Sequence, residues 1–168
     1  MKRYYYLKLW SLLGVLIGMV LLFATSASAQ APNIEGTYKL TSRQLPDGTM
    51  LKPPDIMGLW IYSKEDRMFN FIRKDASGKF ASLSLVSTYK LTATEYSETL
   101  LFSIRNNQID GKGIVYDVLE KTRSVPVKME NGRIQFKMPF ERPTVMLETN
   151  KITATGEGGI VDVWEKVQ

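Results

Sequence analysis

Past residue 29 the chain alternates. Apolar and polar residues exchange at every second position through most of residues 30–168, and that period commits a chain to strands rather than helices. Gly36, Tyr38 and Leu40 put small or apolar positions on one side of an opening strand. Residues 59–62 and 68–72 flank the polar turn Lys64-Glu65-Asp66, and Ser82-Leu83-Ser84-Leu85 alternates strictly. Leu100, Phe102 and Ile104 share one face of a further strand, and Ile114, Tyr116 and Val118 one face of another. No stretch after Gln30 has helical periodicity.

Turn residues separate these runs at short intervals. Asp75-Ala76-Ser77-Gly78 and Asp110-Gly111-Lys112-Gly113 supply glycine where positive φ is required. Asn131-Gly132 is the strongest hairpin signal, joining 125–129 to 133–138, and Gly156-Glu157-Gly158-Gly159 precedes a last strand over 160–167. About eight to ten short strands with short connections predict an all-β, up-and-down antiparallel β-barrel. One connection differs. Residues 44–57 hold Pro46, Pro53 and Pro54 with Asp47-Gly48, and read as a long irregular loop, either a lid or a plain surface excursion.

The first 29 residues have a different character. Met1-Lys2-Arg3 and Lys8 form a positive head, residues 9–23 are almost wholly apolar, and Ala27-Ser28-Ala29 ends the segment in small residues. This is the pattern of a secretory signal peptide over 1–29. The apolar core is about five residues short of the roughly 20 a spanning helix needs. Cleavage before Gln30 leaves one domain over 30–168, with no stable membrane span after cleavage, exported to the periplasm or secreted. With no cysteine, the chain has neither a lipidation site nor a disulfide, and core packing alone must hold it.

Charge and composition narrow the chemistry. Without Lys2, Arg3 and Lys8, the 22 basic residues become 19 against 17 acidic ones, and no basic stripe marks a nucleic-acid surface. No nucleic-acid partner is expected. The absence of histidine removes Ser-His-Asp and Cys-His nucleophile systems, histidine-ligated haem and the usual zinc sites. No Asp-rich calcium loop is present, so neither a metal site nor a cofactor is expected.

Residues 34–42, with Gly36-Thr37-Tyr38 followed by Lys39-Leu40-Thr41-Ser42, resemble the opening strand of the bacterial lipocalin-like domain family of the lipocalin/calycin superfamily. That family opens with Gly-x-Trp, and here Tyr38 stands in the tryptophan position. Gly58-Leu59-Trp60-Ile61-Tyr62-Ser63 with Asp66-Arg67-Met68 resembles its second hairpin, without the usual turn glycine. Val163-Trp164-Glu165-Lys166 resembles its closing Trp-x-Arg, with lysine in place of arginine. The resemblance implies a barrel over most of 30–168, with a cation–π contact between Tyr38 and Lys166 closing its floor.

A barrel of about eight strands encloses room for one small ligand. The ligand-binding candidates are the large apolar residues on the predicted inner faces: Trp60 and Tyr62 (or their neighbours Leu59 and Ile61), Phe69, Phe71, Phe102, Tyr116, Phe136 and Met138. The same residues also describe a filled core. The leading expectation is a binding protein for a small hydrophobic or amphipathic molecule, with no catalytic residue. One alternative is a small isomerase, cyclase or lyase using an interior tyrosine or carboxylate. Asp117 and Asp162 are its acids, and Asp117 turns to solvent if Tyr116 faces in. The other alternative is an envelope module that binds a protein through its outer surface.

Overall fold

The computed structural model describes residues 33–167. The expected signal peptide, 1–29, and its cleavage site lie outside the described residues. Within them the protein is all-β: β1 (Gly36–Gln44), β2 (Met50–Leu51), β3 (Ile56–Tyr62), β4 (Asp66–Lys74), β5 (Phe80–Leu91), β6 (Glu95–Asn107), β7 (Lys112–Asp117), β8 (Lys121–Pro126), β9 (Lys128–Glu130), β10 (Arg133–Lys137), β11 (Thr144–Glu148), β12 (Lys151–Thr155) and β13 (Val161–Lys166). A single 3₁₀ turn, Glu157–Gly159, precedes β13. No described helix is long and apolar enough to cross a membrane.

All pairings are antiparallel, in the order β7-β6-β5-β4-β3-β1-β13-β12-β11-β10-β9. This is a meander in which sequence neighbours are sheet neighbours, and its first strand is sandwiched between β3 and the last, β13. The hydrogen-bonded path ends on β7 at one side and β9 at the other, so it is an open order of strands. β8 pairs with β6 beside β7, and only Val127 separates β8 from β9. The count of thirteen exceeds the expected eight to ten because one stretch, 112–130, is broken into β7, β8 and β9, and because β2 forms inside the loop over 44–57.

That loop is shorter and more regular than its prolines suggested. Leu45 and Thr49 close a turn through Leu45 N–H donating to Thr49 O at 2.8 Å, and β2 returns to pair with Arg43 and Gln44. The hairpin at Asn131-Gly132 forms as its sequence requires, with both residues at positive φ (52° and 75°) joining β9 to β10.

One face of the sheet is the core. Tyr38 and Leu40 of β1, Trp60 and Tyr62 of β3, Tyr96 of β6, Ile134 and Phe136 of β10, Val145 and Leu147 of β11, Ile152 of β12 and Trp164 of β13 form a continuous buried cluster. β6 and β10 share no hydrogen bonds, yet Tyr96 stacks on Phe136 with ring centroids 4.2 Å apart, so the two halves of the meander face each other. The Tyr38–Lys166 contact forms: the residues are paired in register, and Nζ sits 5.8 Å from the ring centroid while donating to Glu35 O at 2.7 Å.

Register shifts interrupt the alternation at three places, of which one leaves Gly113 extra between Asn106↔Ile114 and Asn107↔Lys112 and the other two are β-bulges that bear on the core. In β6 the pairing steps from Ser87↔Leu100 to Val86↔Phe102, leaving Leu101 as the extra residue. In β1 it steps from Leu40↔Trp164 to Ser42↔Val163, leaving Thr41 as the extra residue. An extra residue shifts the parity, so every position beyond it changes face. Tyr96, Glu98 and Leu100 are buried, but past the bulge it is Ser103 that is buried while Phe102 and Ile104 turn out.

Candidate functional site

Beyond the bulges in β1 and β6 the inner face of the sheet borders an open cavity of about 330 Å³. Its walls are Phe69 and Phe71 of β4, Ala81 and Leu83 of β5, Ala154 of β12, and Pro143 and Ile160 from connecting segments. Its charged lining comes from Arg43, Arg105, Glu141, Glu157 and Asp162. Both arginines reach it because of the shifted parity: Arg43 follows the bulge in β1, and Arg105 follows the one in β6. Arg43 donates from Nε and Nη2 to both carboxylate oxygens of Asp162, each at 2.6 Å, and its guanidinium carbon lies 4.3 Å from the Phe71 ring centroid. The two-point geometry locks the pair against the apolar wall. Arg105 has no ion-pair partner among the described residues.

Deeper in the protein lies an ionic cluster. Arg67 of β4 is 1% exposed, and Glu98 of β6 is fully buried. Arg67 Nη1 donates to Glu98 Oε1 at 2.6 Å, and Nη2 donates to Glu141 Oε1 at 2.5 Å. Glu98 also accepts from Ser87 Oγ at 2.6 Å and from the Tyr96 hydroxyl at 3.2 Å. The guanidinium lies 4.9 Å from the Trp60 ring centroid. One cation therefore answers two carboxylates, Glu98 fully buried and Glu141 at the edge of the cavity, where an unbalanced charge is costly.

Proton affinities follow from that imbalance. Burial pushes the Glu141 carboxyl above its ordinary range, and the Glu98 charge adds to this, against the opposing pull of Arg67. Burial would lower Arg67, but Glu141 and Glu98 hold it well above its usual value. Burial also raises the Tyr62 and Tyr96 hydroxyls. Glu141 Oε2 and the Tyr62 hydroxyl are buried without a hydrogen-bond partner.

Of the eight ligand-binding candidates, Phe69 and Phe71 line this cavity. Trp60, Tyr62, Phe136 and Met138 are packed in the core instead, each nearly inaccessible. Phe102 and Tyr116 require correction: they are 38% and 66% exposed and lie on the opposite face of the sheet. The bulge at Leu101 turned Phe102 out, and Tyr116 of β7 pairs with the outward Ile104. Asp117 is correspondingly the half-buried member of the Tyr116–Asp117 pair. Residues 45–56 contribute nothing to the cavity wall, so the loop over 44–57 is no lid on it.

Of the charged residues here, sequence reasoning had singled out only Asp162, which lines the cavity; it passed over the others. Arg67 shares parity with Phe69 and Phe71, and Glu98 shares it with Tyr96 and Leu100. Opposite charges at inward positions of nearby strands were the available signal. Glu141 lies between β10 and β11, where no period exists to read.

The outer face of β1 and β3–β7 carries few charges. Paired positions form rows across the strands: Ile61, Met68, Val86 and Phe102 in one, and Leu59, Asn70, Ser84, Ile104 and Tyr116 in the next. A third runs through Met57, Ile72, Ser82, Asn106 and Ile114. A groove of about 830 Å³ lies over its β1–β5 side, bordered by Lys39 as the single charged side chain. It contains no buried ionisable group, unlike the inner cavity.

Compared with family models, curated proteins and solved structures, the chain matches none. No group of three or more metal-ligating side chains clusters among the described residues.

Proposed function

We propose that this protein is an exported, lipocalin-like β-barrel that takes one small amphipathic molecule into the cavity between Phe69, Phe71 and Leu83. The observation that carries the reading is an apolar-walled space in the size range of small-molecule sites, reached by two arginines. Burial of an apolar body against the two phenylalanines drives binding, at about 25 cal/mol per Å² removed from water. Arg105 and the Arg43–Asp162 pair orient the polar end. Barrel closure is supported by the stretch 121–130, whose first part pairs with β6 and whose last part pairs with β10. The lipocalin-like reading is supported by the Tyr38–Lys166 contact at the junction of first and last strands. Export rests on the pattern in residues 1–29.

The test uses protein recovered from an exporting bacterial host carrying the full coding sequence. N-phenyl-1-naphthylamine is titrated into it, then displaced by a panel of medium-chain acids, alcohols and amines. Saturable binding that drops at least tenfold in Ala81→Trp, whose indole fills the cavity, supports the reading. Binding that is indifferent to this substitution, or none across the panel, removes it.

A further inference from the structure

We infer that the outer face of β3–β7 is an interface at which a second copy of this chain docks face to face about a two-fold axis. Three adjacent rows across this face carry no charged side chain apart from Lys39 at the β1 border, while Asp66 and Lys74 of β4 and Lys90 of β5 stand on the same face beyond those rows. Exposed faces of antiparallel sheets are ordinarily polar. Here Met68, Phe102, Ile104 and Tyr116 are each more than a third exposed. Depletion of charge together with methionine and aromatic residues is the composition of an interface core.

The area fits a copy of this size. Five strands about 4.8 Å apart, with three same-face residues about 6.8 Å apart along each, give a patch of about 24 by 20 Å, or about 480 Å² in projection. Protruding side chains raise the accessible area toward the roughly 800 Å² per partner of a stable complex. The opposite wall is unsuited, since Arg133, Lys137, Lys151 and Glu165 stand on it.

Two features select a second copy over a lipid surface. The centre of the wall is a stripe of Asn70, Ser84, Ser82 and Asn106. In hydrocarbon those amides and hydroxyls would lie unpaired. Against the same stripe each finds donors and acceptors, because Asn and Ser carry both. The relief is also self-complementary. The groove lies on the β1–β5 side and the aromatic residues Phe102 and Tyr116 on the β6–β7 side. A two-fold axis through the stripe sets the aromatic side of each copy over the groove of the other, as an isologous contact demands.

Sedimentation velocity at 5–100 μM on protein from the exporting host tests this (an assay range of about twentyfold, wide enough to bracket a micromolar dimer). The expected result is a mass of two copies that falls to one in Phe102→Glu and in Tyr116→Glu, both exposed sites, while Gln135→Glu on the opposite wall stays dimeric. Unchanged circular dichroism certifies the folds. A monomer throughout the range overturns the proposal. So does a dimer that survives both substitutions, or a monomer that floats with phosphatidylglycerol vesicles, which would assign the wall to lipid.

Discussion

Gly58 and Trp164 pack so closely that no other residue fits at position 58. A Cβ there would stand 2.6 Å from Cη2 of the Trp164 indole and 2.8 Å from the backbone oxygen of Asn70. Trp164 belongs to the last strand and is fully buried, and it meets Trp60 edge to face with centroids 5.5 Å apart. Gly58→Ala therefore overpacks the junction of β3, β4 and β13, at a cost of about 2–3 kcal/mol. Urea denaturation measures it; a loss under about 0.5 kcal/mol would mean the indole moves aside freely.

The cluster around Arg67 predicts an asymmetric response. Arg67→Ala strands Glu98 and Glu141 without their cation, and breaking a buried pair from one side costs about 3–5 kcal/mol. Arg67→Met with Glu98→Gln and Glu141→Gln removes the charges together and is expected to be markedly less destabilising than Arg67→Ala alone. Equal losses in the two proteins would contradict the account.

Glu141 sets a pH dependence whose sign is fixed. Its native carboxyl holds the proton more tightly than the ordinary value of 4.5, chiefly through burial. The native state therefore binds more protons than the unfolded chain between 4.5 and the raised native value. This group's contribution is full below about pH 4.5 and declines as pH rises through the native value. Denaturation midpoints followed from pH 4 to 8 are expected to fall more steeply in the parent than in Glu141→Gln. Parallel curves would place the raised affinity elsewhere.

At the junction of the first and last strands the effect is smaller. Lys166→Met loses the contact over the buried Tyr38 ring and the exposed hydrogen bond to Glu35 O. A loss of about 1 kcal/mol is expected. Thermal unfolding checks it, and a shift beyond experimental parity with Arg67→Ala would make Lys166 a core element rather than a clasp.

Much of the meander was readable residue by residue. Asn131-Gly132 demanded its hairpin because only a turn with two positive φ values matches the strand twist. Tyr38 and Leu40 faced the core as expected, whereas in β3 the period allowed either Trp60 with Tyr62 or Leu59 with Ile61, and the sheet turned Trp60 and Tyr62 in. The error began at Leu101. Leu100, Phe102 and Ile104 look like one face, and nothing local marks the extra residue between them. A bulge belongs to two strands at once, so its position depends on which partner lies opposite.

The same reason separates what local sequence determined from what the assembled sheet decided. Alternation, turn chemistry and the missing histidine and cysteine are properties of short stretches, and they gave the all-β class, the strand sequence and the excluded chemistries. Which arginines reach the cavity, which aromatic residues face out, and that Arg67, Glu98 and Glu141 meet were decided by cross-strand register. These contacts join residues 31 and 74 positions apart. Period two says that a residue has a side. Only the neighbouring strands, counted through the bulges, say which side is the inside.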